Sequence, residues 1–264
     1  MAPRVVAIVQ ARLGSSRLPG KALLPIAGRT MLEHVLRRIL AVSGVDEVVL
    51  ATTVSPEDDG LEKVAASLGV STFRGSVKDV LGRFHSALRA HPADAIVRGT
   101  ADCPLLDPEV SGRVVADYVA HLNDVDYVSN VEPPTYPDGL DTEIMSAAAL
   151  DLAWREADLP SDREHVTTYI RSRKDDFRIR NVEYPGANLS GHRWTVDEPR
   201  DLDFVRAIYN QLGDGRRMFG MHDVLALLEQ RPELLALNSG IARNEGLERS
   251  RRLDRLATKG GADA

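Results

Sequence analysis

A single cysteine, Cys103, stands among 264 residues. Neither an intrachain disulfide framework nor a cysteine-based zinc site can be built from it, and such usage fits a reducing compartment. Long apolar runs are missing. No stretch approaches the roughly 18 consecutive apolar residues of a membrane span, and the run inside MAPRVVAIVQAR is too short for the core of a signal peptide. An excess of positive charge is missing too. The net charge of −6 argues against a protein that wraps nucleic acid. There is no internal repeat, no linker and no low-complexity tract before the tail. These absences lead us to expect a cytoplasmic protein with no membrane and no nucleic-acid partner. What is present is ordinary for a packed globular chain, 43% hydrophobic and 27% charged, and long enough for one large α/β domain or two small ones.

Continuous apolar runs such as Val5–Val9 and Glu47–Ala51 read as strands buried on both faces of a parallel sheet. Between them, Met31, Leu32, Val35, Leu36, Ile39 and Leu40 fall on one helical face. Thr30 and Glu33 resemble a capping box in front of it. Helices are expected over 56–68, closed by Gly69, over 77–90, and from Pro108 to about 121. Short strands are expected over 70–73, 95–97 and 127–129. This alternation predicts a doubly wound, mostly parallel, Rossmann-like α/β sheet. The second half is less regular. Strands are expected over 142–145, 177–184 and 192–196, and helices over 147–156, 161–173, 200–212 and 222–229. We read one domain over 1–246 with an embedded segment at about 128–191, and a loose tail over 247–264.

The first strand runs directly into Gln10-Ala11-Arg12-Leu13-Gly14-Ser15-Ser16-Arg17-Leu18-Pro19-Gly20-Lys21. In open α/β sheets, ligands bind beyond the carboxyl ends of the strands. Gly14, Ser15, Ser16 and Gly20 let the backbone approach a ligand closely. Arg12, Arg17 and Lys21 repel one another unless they share an anion, and a triphosphate is such an anion. Both a solvated basic loop and a phosphate-binding loop agree with these residues. The loop lacks the end of a Walker motif and the spacing of a dinucleotide fingerprint.

VQARLGSSRLPGKALLPIAGRTMLEHV resembles the start of the cytidylyltransferases that activate sugar acids, most closely the SpsF type of spore coat polysaccharide biosynthesis. The synthetases of CMP-3-deoxy-manno-octulosonate and CMP-neuraminate share a looser ARxxSxRLPxK pattern. Those relatives commonly carry Pro before the Ala, where Gln10 stands here, as in the SpsF-like branch. The likeness runs from about Val5 to Gly246. It implies a nucleotidyltransferase-type α/β fold and transfer of a nucleoside monophosphate, from CTP, to a sugar or sugar acid. It also implies Mg²⁺ as cofactor and a homodimer built through the embedded segment. Gln10, Ala11, Arg12, Gly14, Ser15, Arg17 and Lys21 would then bind the nucleotide, with Lys21, Arg12 and Arg17 catalytic. The preference for cytosine rests on the resemblance alone.

Mg²⁺ takes oxygen ligands, usually one or two carboxylates beside substrate phosphates. Asp102 in RGTADCPLLDP and Asp197 in HRWTVDEP each follow an expected strand. The resemblance makes these two positions the metal-binding aspartates. The alternative is that each caps the next helix. Asp107, just before Pro108, reads as a cap. Ala101 stands where a Gly is common and removes no ligand. On the acceptor side, Asp138, Asp141 and Glu143 in YPDGLDTE match a recurrent SpsF-type pattern, and Asp141 and Glu143 would share a strand face. With Arg98, Arg163 and His165 they form the expected acceptor-binding set. An ion network with Arg163 and His165 is the other reading of those acids.

The mechanism implied is in-line attack of an acceptor oxygen on the α-phosphorus, carried by positioning and charge neutralisation. Two other readings compete. One is a metal-dependent nucleotide-sugar glycosyltransferase, whose D-x-D letters occur at Asp124–Asp126 and Asp201–Asp203, though neither pair follows a buried strand. The other is a catalytically silent sugar-nucleotide-binding protein, against which the basic loop and both aspartates count.

Overall fold

The fold was obtained as a computed structural model, which describes residues 2–213, 218–241 and 243–260. Strand β1 (Val5–Gln10) carries five fully buried apolar residues in a row. Each of the four larger ones contributes roughly 1.5–3 kcal/mol of burial, and the strand takes an interior place in the sheet. A loop follows, with a short hairpin of β2 (Pro25–Ile26) and β3 (Arg29–Thr30). Helix α1 (Met31–Leu40) starts where expected, with the Thr30 side chain accepting from Glu33 N at 3.2 Å. Then come β4 (Glu47–Thr53), α2 (Asp59–Ser67), β5 (Ser71–Gly75), α3 (Val80–Ala90), β6 (Ala95–Thr100) and α4 (Pro108–Ala120). Asp107 is indeed the cap of α4, accepting from Glu109 N at 2.7 Å.

The less regular half supplies β7 (Tyr127–Ser129), β8 (Glu143–Ser146), α5 (Ala147–Glu156), α6 (Pro160–His165), α7 (Thr168–Arg171) and β9 (Ile179–Asn181). It ends in α8 (Pro199–Leu212), α9 (Met221–Gln230) and α10 (Glu245–Gly260). One seven-stranded sheet has the order β5-β4-β1-β6-β8-β7-β9. β5, β4, β1 and β6 pair in parallel, and β8 alone runs against its neighbours β6 and β7. The embedded segment thus extends the same sheet. Residue parity divides the core. Val5, Ala7 and Val9 face one layer, and Val6 and Ile8 the other, as side chains alternate along a strand. A third cluster around Trp194, Phe204 and Ile208 packs beyond the sheet.

Three expectations about elements are corrected. Residues 192–196 form no strand, only an isolated bridge between Asp138 and Arg193. The helix expected over 161–173 is broken at Val166, whose φ of 60° is incompatible with helix continuation. The tail expected to be loose from 247 is helical through 260. Its last four residues, 261–264, lie outside the described residues.

Candidate active site

Strand order reverses at β1, which lies between β4 and β6. Ligands bind in α/β sheets at such a reversal, outside the carboxyl ends of the strands. Gln10 and Thr100 are opposite each other at those ends, and the chain diverges after both. A cavity of about 700 Å³ opens there, within the usual range for small-molecule sites.

The loop after β1 is braced from below. Asp58 is buried, accepts from Leu13 N at 2.7 Å and bonds the Thr53 hydroxyl. Gly20 takes a φ of 70°, a left-handed turn that suits glycine, and the chain then coils over 21–23. That coil aims Lys21 at the cavity floor. Lys21 Nζ donates to Asp102 Oδ2 at 3.0 Å, to Asp197 Oδ1 at 2.9 Å and to the Val196 carbonyl at 2.9 Å. Asp102 follows β6 directly. Asp197 reaches the site from an irregular segment tied to Asp102, since Val196 N donates to the Asp102 carbonyl at 2.8 Å. Neither aspartate caps a helix. The turn into α8 is bonded by Asp201, which accepts from the backbone of Asp197 and Glu198 at 2.9 and 3.0 Å.

Burial by itself would depress the Lys21 ammonium. Asp102 and then Asp197 outweigh it, and its pKa is raised. Burial would raise the Asp102 carboxyl, but the Lys21 charge and the Thr100 hydroxyl bring it down to about 2. Lys21 is therefore a permanent cation and Asp102 a permanent anion at neutral pH.

Arg17 bonds Asp197 at 2.9 Å and Glu245 of α10 at 3.4 Å, and Arg12 bonds Glu164 at 3.4 Å and the Val77 carbonyl at 3.3 Å. The three loop cations thus converge on one cavity, and each is paired there with acidic side chains. Gln10, Ala11, Gly14 and Ser15 line the same wall.

Of the expected acceptor residues, Arg98, Asp138, Asp141, Glu143 and His165 line the cavity. Arg163 does not. Its guanidinium reaches Asp79, with Nε to Oδ1 at 3.0 Å, and the Trp154 carbonyl at 2.7 Å. Asp79 caps α3 through Gly82 N, so Arg163 fastens α6 to α3 and turns away from the site. The acids are paired, with partners other than Arg163 and His165. Glu143 is bound by Arg98 at 2.5 Å and by the Tyr127 hydroxyl at 2.5 Å, Asp141 by Arg243, and Asp138 by Arg193 at 3.5 Å. Burial would raise Glu143, but the charges of Arg98 and Arg171 pull it down to about 2. Asp138 goes the other way. Burial and then the Asp141 charge lift it to about 7.

Several lining residues gave no signal in the sequence. Arg83 sits on α3 and is almost wholly buried, donating to the Ser76 carbonyl at 2.6 Å. Burial and then the nearby charge of Arg12 lower its pKa to about 10. Arg193 is held by Asp201 at 2.9 Å. Thr167 and Arg171 enter only because the chain kinks at Val166. Arg249 and Ser250 enter only because α10 folds over the opening. Helical spacing over 161–173 hides the kink, and a charged, Gly- and Ala-rich tail hides α10.

The residues present fit a divalent cation. Two carboxylates lie within 3.0 Å of a single Lys21 nitrogen, so one positive centre reaches both. Among the described residues, no group of three or more His, Cys, Asp or Glu could hold a metal. A site with two carboxylates and no protein cage suits Mg²⁺, which draws its other ligands from substrate phosphates and water.

The cytidylyltransferase family model matches residues 6–213. The spore coat polysaccharide biosynthesis protein SpsF of Bacillus subtilis is 31% identical over 235 residues, covering 87% of this chain and 95% of that protein. A 3-deoxy-manno-octulosonate cytidylyltransferase of Idiomarina loihiensis is 32% identical over 166 residues, covering 61% of this chain and 65% of its own. A solved cytidylyltransferase of Leptospira borgpetersenii superposes with a TM-score of 0.85 at 29% identity, over 91% of this chain and 99% of its own. With the match spanning the sheet, the basic loop and both aspartates, the chain belongs to the cytidylyltransferase family.

Proposed function

We propose that the protein transfers CMP from CTP to a sugar or sugar acid and releases pyrophosphate, in the cytoplasm and as a homodimer joined through residues 128–191. The observation that carries the chemistry is Lys21 between Asp102 and Asp197, with Arg12 and Arg17 on the rim of the same cavity. Polyphosphate transfer needs little covalent help from a protein. It needs the reacting groups in line and the developing charge neutralised. Arg17 and Arg12 exchange their acidic partners for phosphate oxygens, as planar forks suited to them. Lys21 gives up its aspartates for the leaving pyrophosphate. Asp102 and Asp197 would hold Mg²⁺, which when bound would offset phosphate charge and make an attacking hydroxyl more acidic. Arg98, Asp138, Asp141, Glu143 and His165 bind and orient the acceptor.

The absence of a D-x-D pair from the cavity wall favours this reading over a glycosyltransferase. Asp126 is spent on Arg178 at 2.8 Å, and Asp201 on Arg193. The test is a screen of four nucleoside triphosphates against sugar acids and sugar phosphates with Mg²⁺, read as pyrophosphate. We expect release with CTP and one class of acceptor. Release of a nucleoside diphosphate from a nucleotide-sugar, with no pyrophosphate from any pair, would overturn it. Asp102→Asn is expected to raise the Mg²⁺ requirement or abolish turnover, and full activity at low Mg²⁺ would remove Asp102 from the metal site. Light scattering tests the dimer, and a monomer at assay concentration would refute it.

A further inference from the structure

Val166 has φ 60° and ψ −56°, the left-handed side of backbone space, where a β-branched residue is strained. Strain of this kind persists only where surrounding structure imposes it. The kink ends α6 at His165 and turns Thr167, Thr168 and Arg171 onto the cavity wall. Packing of Val166 in the core, where it is fully buried, supplies one restraint.

Helix α10 supplies the other. Ser250 Oγ lies 3.0 Å from Nε2 of His165, 3.5 Å from Glu164 and 3.1 Å from the Gly246 carbonyl. Ser161 N, in the first turn of α6, donates to Asp254 at 3.3 Å. Leu247 of α10 is buried, and Arg249, Ser250 and Leu253 line the cavity. The family match ends at residue 213, so this wall lies beyond it.

We propose that α10 is a positioning element for the acceptor, with Ser250 the residue that fixes His165 at the strained corner between α6 and α7. The inference rests on the acceptor reading of His165 given above. A serine has one proton to donate. Spent on the Gly246 carbonyl or on Glu164, it leaves the oxygen to accept from Nε2–H of His165. That fixes the tautomer and leaves Nδ1 as a hydrogen-bond acceptor for a substrate hydroxyl. Burial, and then the charge of Arg98, lower the His165 pKa, which keeps the ring in this neutral form.

The test uses the full chain and three variants: Ser250→Ala, Ser250→Thr and a truncation after Asn244. Two readouts are followed, amide hydrogen exchange over 161–168 and the separate KM values for CTP and acceptor. One lost hydroxyl contact corresponds to about a fivefold effect. We expect Ser250→Ala to speed exchange over 161–168 and raise the acceptor KM by about that factor, with the CTP KM unchanged. Ser250→Thr should behave as the parent, and the truncation, which also takes Glu245 from Arg17 and so is read by exchange alone, should speed exchange over 161–168 further. Unchanged exchange overturns the inference. So does faster exchange with both KM values rising together, which marks a merely structural contact. If the parent chain releases no pyrophosphate with any acceptor, it is the functional reading that fails, and exchange alone then decides whether Ser250 holds the corner.

Discussion

Lys21 is held by the charges it neutralises, and its largely buried side chain would otherwise be an uncompensated cation. Lys21→Ala leaves Asp102 and Asp197 facing each other across the site. Turnover is expected to fall by roughly a hundredfold or more, comparable to removing one preorganised donor. Pyrophosphate release at saturating CTP measures it, and an unchanged rate would strip Lys21 of its role. Asp138 offers a different test, through pH. Its carboxyl is raised to about 7 by burial and then by Asp141. The folded state therefore holds the proton more tightly than the unfolded chain. The stability this gives is fully present below about pH 4 and is lost as pH rises from there to 7. Asp138→Asn abolishes that titration. In chelator, the variant should match the parent near pH 4 and exceed it at pH 8 by roughly 1 kcal/mol, or about 2–4 °C in Tm. An identical offset at both pH values would contradict the assignment.

Between elements, the site depends on how an irregular segment is seated. Gly139 has φ 108°, and a Cβ there would lie 2.7 Å from the Trp194 carbonyl carbon and 2.8 Å from Thr195 N. The backbone of the segment carrying Asp197 passes that close because nothing intervenes. Gly139→Ala must push it away, in a core where Trp194 is fully buried. A loss of roughly 1–3 kcal/mol is expected from the strain, together with a drop in turnover, since Asp197 moves with the segment. Full activity with unchanged thermal unfolding would show that the contact is slack. This segment also marks where reading the sequence stopped working. Buried strands β1 and β4 and helices α1 and α5 were legible because period and burial agree in them. Residues 192–196 have strand-like composition, but they are fixed by a few isolated bonds, Trp194 N to Asp138 O, Asp138 N to His192 O and Val196 N to Asp102 O. Nothing periodic announces such bonds. The kink at Val166 is equally silent, because packing of a buried valine selects its φ and a helical pattern runs straight through it.

Over the whole molecule, the chemistry-bearing residues of the first strand's loop and the two aspartates were legible as types, since charge without nearby compensation points to a ligand. Their convergence was expected from the strand ends and from the resemblance, while the strand order that brings it about, with β1 between β4 and β6, is encoded by no local pattern. The C-terminal wall was not legible either, since residues 245–256 are good helix formers but nothing in them announces that the helix packs on α6. The architecture also separates metal from stability. Among the described residues there is no protein cage for an ion, and Lys21 already satisfies both aspartates. Chelation should therefore leave the Tm of the free protein unchanged, within about 1 °C, while abolishing turnover. On the proposed reading, CTP with Mg²⁺ should bind only the folded state and stabilise it by mass action, about 2.7 kcal/mol at a hundredfold excess over Kd. For a domain of this size that corresponds to a rise of roughly 5–10 °C. CTP with chelator should give a much smaller rise, because the phosphates then meet Lys21 still bound to its aspartates. A large fall in Tm on adding chelator alone would mean that the metal is structural, and equal stabilisation by CTP with and without Mg²⁺ would remove Asp102 and Asp197 from nucleotide binding.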